Sequence, residues 1–110
     1  MTINSKQKGK RGELELVKEF KKRGYEARRG QQFKGTPDSP DILIDDLPNL
    51  HTECKRVEAL NLYKAYEQAC NDKGEKQTPV VFHRKTRKEW LAVLSLNDFF
   101  KLLKNKDMLK

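Results

Sequence analysis

Asp41, Glu53 and Lys55 are an acid, an acid and a base on two short apolar segments, Ser39-Pro40-Asp41-Ile42-Leu43-Ile44-Asp45 and Glu53-Cys54-Lys55-Arg56-Val57. If the segments are neighbouring strands, the two carboxylates can share one divalent cation. Lys55, two residues beyond Glu53, then projects from the same face of its strand. Two carboxylates and the main-chain carbonyl of Cys54 supply the hard oxygen ligands that Mg²⁺ prefers, with Mn²⁺ as a substitute, and leave room for water and a phosphate oxygen. Lys55 would position or help deprotonate the attacking water and counter the charge growing on phosphorus. The chemistry expected of this set is hydrolysis of a DNA phosphodiester.

Glu13 joins the set from another direction. It falls in the middle of the helical stripe Leu16, Val17, Phe20, where a carboxylate needs a metal ion, a metal-held water or a basic side chain beside it. The alternative is a solvated place at the rim of that stripe. Gly9, one turn back, would let a backbone or phosphate approach closely. Taken singly, Asp41 reads as a turn residue after proline, and Glu53 and Lys55 as an exposed charged strand face. The pair Asp45 and Asp46 would compete as ligands if the strand register differs.

The elements that must position these residues follow from periodicity and turn residues. A helix is expected over 5–23, stopped by Gly24, then a short strand over 25–29 and a long loop over 30–40. Strands over 41–45 and 50–56 flank the turn-prone Asp46-Leu47-Pro48-Asn49 and suggest a hairpin. A helix over 60–73, with apolar residues at 62, 63, 66, 69 and 70, ends at Gly74. Strands over 78–83 and 89–94 enclose the basic turn Arg84-Lys85-Thr86-Arg87-Lys88. Ser95 is an N-cap candidate for a helix over 96–105 with Phe99, Leu102 and Leu103 inward. The order is αβββαββα, an α/β chain with a central mixed sheet flanked by helices, read as one domain over 1–110.

Lys and Arg number 24 against 16 Asp and Glu, a formal charge of +8 in 110 residues, which favours a polyanionic partner. Lys6, Lys8, Lys10, Arg11, Arg28, Arg29, Lys34 and Arg56 cluster where DNA is expected and would contact phosphates. No aromatic series is interleaved with the basic residues as single-strand stacking platforms need, so duplex or branched DNA is the expected partner. The basic turn 84–88 reads as a solvated hairpin tip. Cys54 and Cys70 make neither a disulfide framework nor a zinc spacing, and Cys54 should point into the core. No membrane span or signal peptide is evident, so a cytoplasmic protein is expected. The tail-like pieces are 1–4 and 104–110.

Pro40-Asp41, Glu53-Cys54-Lys55 and the upstream Glu13 resemble the motif of the PD-(D/E)xK nuclease superfamily. Within it the chain is most similar to the small Holliday junction resolvases of archaea and phages, through Lys8-Gly9-Lys10-Arg11-Gly12-Glu13-Leu14-Glu15-Leu16-Val17. The resemblance continues through Gly24-Tyr25 and Ala27-Arg28-Arg29 and covers the remainder by element order. It implies a restriction-endonuclease-like domain and a homodimer that nicks both symmetric strands of a four-way junction. The catalytic set it implies is Glu13, Asp41, Glu53 and Lys55, with no small-molecule cofactor, and the host-cell cytoplasm as location if the chain is phage-encoded. A general duplex or branched-DNA nuclease, or a basic DNA-binding module without catalysis, are the alternatives. Gln68 is expected in solvent, His51 as a satisfied neighbour of Glu53 that could touch substrate, and His83 in no catalytic role.

Overall fold

The computed structural model describes residues 5–30 and 40–110, with side chains described from residue 9 onward. The long loop expected over 30–40 falls on 31–39, outside the described residues together with Lys34 and residues 1–4. The elements are α1 (Ser5–Lys22), β1 (Ala27–Arg29), β2 (Ile42–Ile44), β3 (Leu50–Arg56), α2 (Leu62–Asp72), β4 (Thr78–Arg84), β5 (Leu91–Val93) and α3 (Leu96–Lys104). The α/β class and the order αβββαββα are as expected.

The stripe Leu16, Val17, Phe20 forms the inner face of α1, with Leu16 and Val17 fully buried. Gly24, at φ 90°, takes the left-handed position after the helix. Gly24 N–H then donates to Lys21 O and Tyr25 N–H to Phe20 O, both at 3.1 Å, while the Tyr25 and Phe20 rings meet edge to face. This is a complete Schellman closure with its hydrophobic contact.

β3 and β4 run parallel, Leu50 opposite Thr78 through Arg56 opposite Arg84, and α2 is the crossover between them. β5 extends this sheet antiparallel to β4. Strands covered on both faces are apolar as a rule; β3 and β4 both bury their first four residues, but β3 buries the polar His51, Thr52 and Glu53 among them. One face packs Leu50, Val80 and Phe82 against α1; the other packs Val81 and Val93 against Ala65, Ala69 and Tyr66.

Four expectations need correction. β2 does not form a hairpin ladder with β3; it pairs with β1 in a separate two-stranded antiparallel sheet, Ala27 opposite Ile44. The Thr52 hydroxyl takes the ladder's place, accepting from Ile42 N–H at 2.9 Å and donating to Ile42 O at 3.0 Å. The buried stripe of α2 is rotated to Ala65 and Ala69, leaving Tyr63 81% exposed, because only the small residues allow close approach to Val81. On α3, Phe99 and Leu103 are exposed rather than inward, as are Leu96 and Phe100. Its Ser95 cap is as expected, with Oγ accepting from Asp98 N–H at 3.0 Å. The lysine-rich end is no loose tail: Asn49 N–H donates to Leu109 O at 2.9 Å, and Leu109 packs on the main core.

Cys54 and Cys70 are both free thiols. No helix among the described residues is long and apolar enough to cross a membrane.

Candidate active site

Asp41 is held at the seam between the two sheets. Its N–H donates to Thr52 O at 3.0 Å, its carbonyl accepts from Gly30 N–H at 2.9 Å, and its Oδ2 accepts from Cys54 N–H at 2.6 Å. Gly30 must lack a side chain, since a Cβ there would collide with the carbonyl oxygen of Pro40. The carboxylate thus satisfies a β3 amide that no strand pairs with on that side, a use of the side chain that buries it.

Glu53, one residue before Cys54, lies on the α2 side of β3 and is buried. Lys55, two residues on and on the same face, reaches it with Nζ 3.4 Å from Glu53 Oε1. Cys54 faces the other way, onto α1 and the core. Burial is the main reason that the Asp41 carboxyl is pushed up to about 7, with the charges of Glu53 and Glu13 adding to it and the Cys54 amide opposing. Burial also raises Glu53, against the pull of Lys55, with Asp72 and Glu13 reinforcing the rise. The Cys54 thiol is raised by burial and by the surrounding Asp41, Glu13, Glu15 and Glu53, which keeps its sulfur protonated.

Glu13 reaches the set from α1, where its carboxylate accepts from Arg29 Nε at 2.8 Å. The basic partner that its place on the stripe demanded is therefore Arg29. What brings α1 this close to β3 is Gly12, whose added Cβ would sit 2.6 Å from Arg56 Cβ and 3.7 Å from Cys54 Sγ. No backbone among the described residues comes close at Gly9, where a Cβ would have nothing within 4 Å.

The expected DNA-contacting residues divide into two groups. Lys10 and Arg11 are exposed on α1. Arg28 is tied to Asp45 at 2.5 Å, Arg29 to Glu13, and Arg56 to Glu15 at 3.1 Å. The Lys8 side chain and all of Lys34 lie outside the described residues. Asp45 is therefore engaged with Arg28, and Asp46 is exposed. His51 is only 1% exposed, which removes it from any substrate surface. His83 Nε2 pairs with Val57 O at 3.0 Å, and Gln68 is in solvent as expected.

Sequence reasoning missed Glu15, Thr52 and Asp72. Glu15 joins α1 to both parallel strands, accepting from Arg56 on β3 and from Arg84 Nη1 on β4 at 2.6 Å. The Arg84 partner is far away in sequence, and nothing local signals it. Thr52 could have been noticed as a hydroxyl in a strand otherwise destined for burial. Asp72 ends α2, and only the crossover brings it toward Glu53.

A hard divalent cation fits the donor chemistry, since two carboxylates, Asp41 half-buried and Glu53 buried, both with raised proton affinity, gain by sharing positive charge. Asp41 and Glu53 would hold it with the Cys54 carbonyl, and Glu13 would act through water. Among the described residues no three His, Cys, Asp or Glu side chains converge on one point, so a bound ion would need main-chain and water oxygens to complete its shell. Comparison with protein-family models, curated proteins and solved structures finds no match to this chain.

Proposed function

We propose that this protein is a metal-dependent endodeoxyribonuclease of the PD-(D/E)xK type, with four-way DNA junctions its preferred substrate and a homodimer its working form. The observation that supports it most is the pair of half-buried Asp41 and buried Glu53 beside Lys55, at a seam where α1 also brings Glu13. Burying like charges together is unfavourable without a partner, and such arrangements concentrate at functional sites. The net charge of +8 supplies the general attraction to nucleic acid.

In this mechanism Asp41 and Glu53 would hold Mg²⁺, which when bound would lower the pKa of water and neutralise charge on the scissile phosphate. Asp41 is kept in place by the Cys54 amide and Glu53 by the strand itself. Lys55, which lies beside Glu53, would orient the attacking water and donate to a phosphate oxygen. Lys10 and Arg11 hold the backbone of the duplex.

A second reading is a DNA-binding module without catalysis, and the ion pairs Glu13–Arg29 and Glu53–Lys55 favour it. Cleavage of an immobile four-way junction and of a matched linear duplex, in Mg²⁺ or EDTA, by wild type and Glu53→Gln protein separates the readings. Symmetric Mg²⁺-dependent nicks on the junction, lost in Glu53→Gln, are expected. Cutting of both substrates makes it a general nuclease, and tight binding without any cutting leaves the binding module.

A further inference from the structure

A groove of about 640 Å³ opens between α1 and the β4–β5 hairpin, and none of its lining residues belongs to the candidate active site. Its walls carry Phe20, Tyr25, Phe82 and Trp90, each half-buried. The Trp90 indole N–H is buried and has no hydrogen-bond partner among the described residues, an uncommon state for a buried donor. The volume lies within the range of small-ligand sites.

The rim is basic. Arg23 is tied to Glu19 at 3.0 Å and Arg84 to Glu15, but Arg87 and Lys88 have no ion pair among the described residues. Arg87 sits at φ 64°, the one non-glycine residue among those described in the left-handed region. A tight hairpin ordinarily places glycine or asparagine there, so the chain carries backbone strain to present an arginine. The turn is braced on both sides: Glu58 accepts from Thr86 N–H at 3.0 Å and from the Thr86 hydroxyl, and Arg84 Nε donates to Lys88 O at 2.6 Å.

Aromatic and basic residues that do not alternate in the sequence are therefore interleaved in space. Ring faces attract any nucleobase, and adjacent cations attract the phosphates flanking it. A fully paired duplex presents no free base face and would touch only the rim. We propose that this groove receives an unpaired nucleotide of a DNA strand, its base against the Trp90 wall and its phosphates on Arg87 and Lys88. The inference deepens the nuclease reading and rests on it for the identity of the polymer; it adds a preference for junctions or duplexes that carry an unpaired nucleotide, held on the α1 side of the sheet, opposite Glu53 and Lys55.

Trp90 is the only tryptophan, so its emission reports on the groove. It is followed in EDTA during titration with a blunt duplex, the same duplex with a single-stranded overhang, and a free deoxynucleotide. Quenching by the overhang alone is expected. In the double variant Arg87→Ala, Lys88→Ala the midpoint should move to about tenfold higher DNA concentration, with the thermal transition no lower than wild type. Equal quenching by the blunt duplex, quenching by none of the three, an unmoved midpoint, or tighter binding of the free nucleotide overturns the proposal. Since nothing is cut in EDTA, the two readings fail separately. Mg²⁺-dependent cleavage without quenching removes the groove alone, and quenching by a protein that never cleaves removes the nuclease alone.

Discussion

Asp41 and Cys54 are joined by a 2.6 Å hydrogen bond in which a main-chain N–H of one sheet donates to a side-chain carboxylate at the end of the other. The bond stabilises the ionised carboxyl, yet burial and the charges of Glu53 and Glu13 outweigh it, and the group is raised to about 7. Asp41 is therefore both the clamp of the seam and an acid that responds to pH near neutrality.

Stability without metal should fall as pH rises. The unfolded chain ionises Asp41 near 3.8 and the folded protein near 7. Between these values the folded state holds the extra proton, so its advantage is complete below about pH 4 and is lost through about pH 7, at about 1.4 kcal/mol for each unit of separation. Thermal melts in EDTA from pH 4 to 8 should show this decline, and Mg²⁺ should reverse it near neutrality by favouring the ionised form. In Asp41→Asn the decline should shrink; an unchanged slope in that variant would place the titration elsewhere.

Thr52→Val should loosen the seam. The substitution preserves shape but leaves the buried Ile42 N–H and carbonyl without the hydroxyl, at a cost of about 1–3 kcal/mol. Chemical denaturation measures the loss. Cleavage at low temperature, where the variant is still folded, should fall as well, because Asp41 hangs on the same stretch of β3.

Gly12→Ala should push α1 from the sheet. The new methyl would meet the root of the Arg56 side chain at 2.6 Å, an atom that cannot swing aside. A destabilisation of about 1–3 kcal/mol is expected in denaturant titration. Gly9→Ala, in open space within the same helix, should instead be neutral or stabilising by up to about 1 kcal/mol.

Lys55→Met should separate chemistry from folding. A methionine keeps the apolar stem packed on β3 while removing the ammonium, and cleavage should fall by about 10²–10³-fold. A fall in junction affinity of the same size, measured by gel shift in EDTA, would instead make Lys55 a DNA-binding residue.

Arg87→Gly should raise stability by about 1 kcal/mol, since glycine adopts a positive φ without the clash that arginine meets there. Calorimetry should show a higher melting temperature. The same variant should bind overhang DNA less well, and that opposition of stability and binding is what a strained functional turn predicts.

Much of the scaffold was legible because each element announces itself locally. The stripe on α1, Gly24, the Ser95 cap and the alternation through β3 all act within a few residues, and the structure has them where the chain suggests. Partners of those elements were less legible. Consecutive strands flanking a turn invite a hairpin, but β2 pairs with β1, touches β3 through the Thr52 hydroxyl, and leaves β3 to pair across the α2 crossover. The stripe on α3 says that the helix is amphipathic and not what covers it, so Phe99 and Leu103 were expected inward and are exposed. For the candidate site, Glu53 and Lys55 share a strand face by simple alternation, whereas the Arg29 partner of Glu13 and the approach of Asp72 depend on tertiary packing.

The connection between the two acids holds two turns, Leu47 N–H on Ile44 O and Leu50 N–H on Leu47 O, with Asp45 and Asp46 exposed in the first. The alignment of the acids is set outside those turns, by Thr52 and by the Asp41–Cys54 bond. A residue inserted between Asp45 and Asp46 enlarges the exposed turn and leaves both of those bonds in register. One inserted between Thr52 and Glu53 turns Glu53 and Lys55 toward α1 and exchanges them with the core. Two chains with this architecture can thus differ in the gap between their acids and still build the same site, while a shift of one position inside β3 abolishes it.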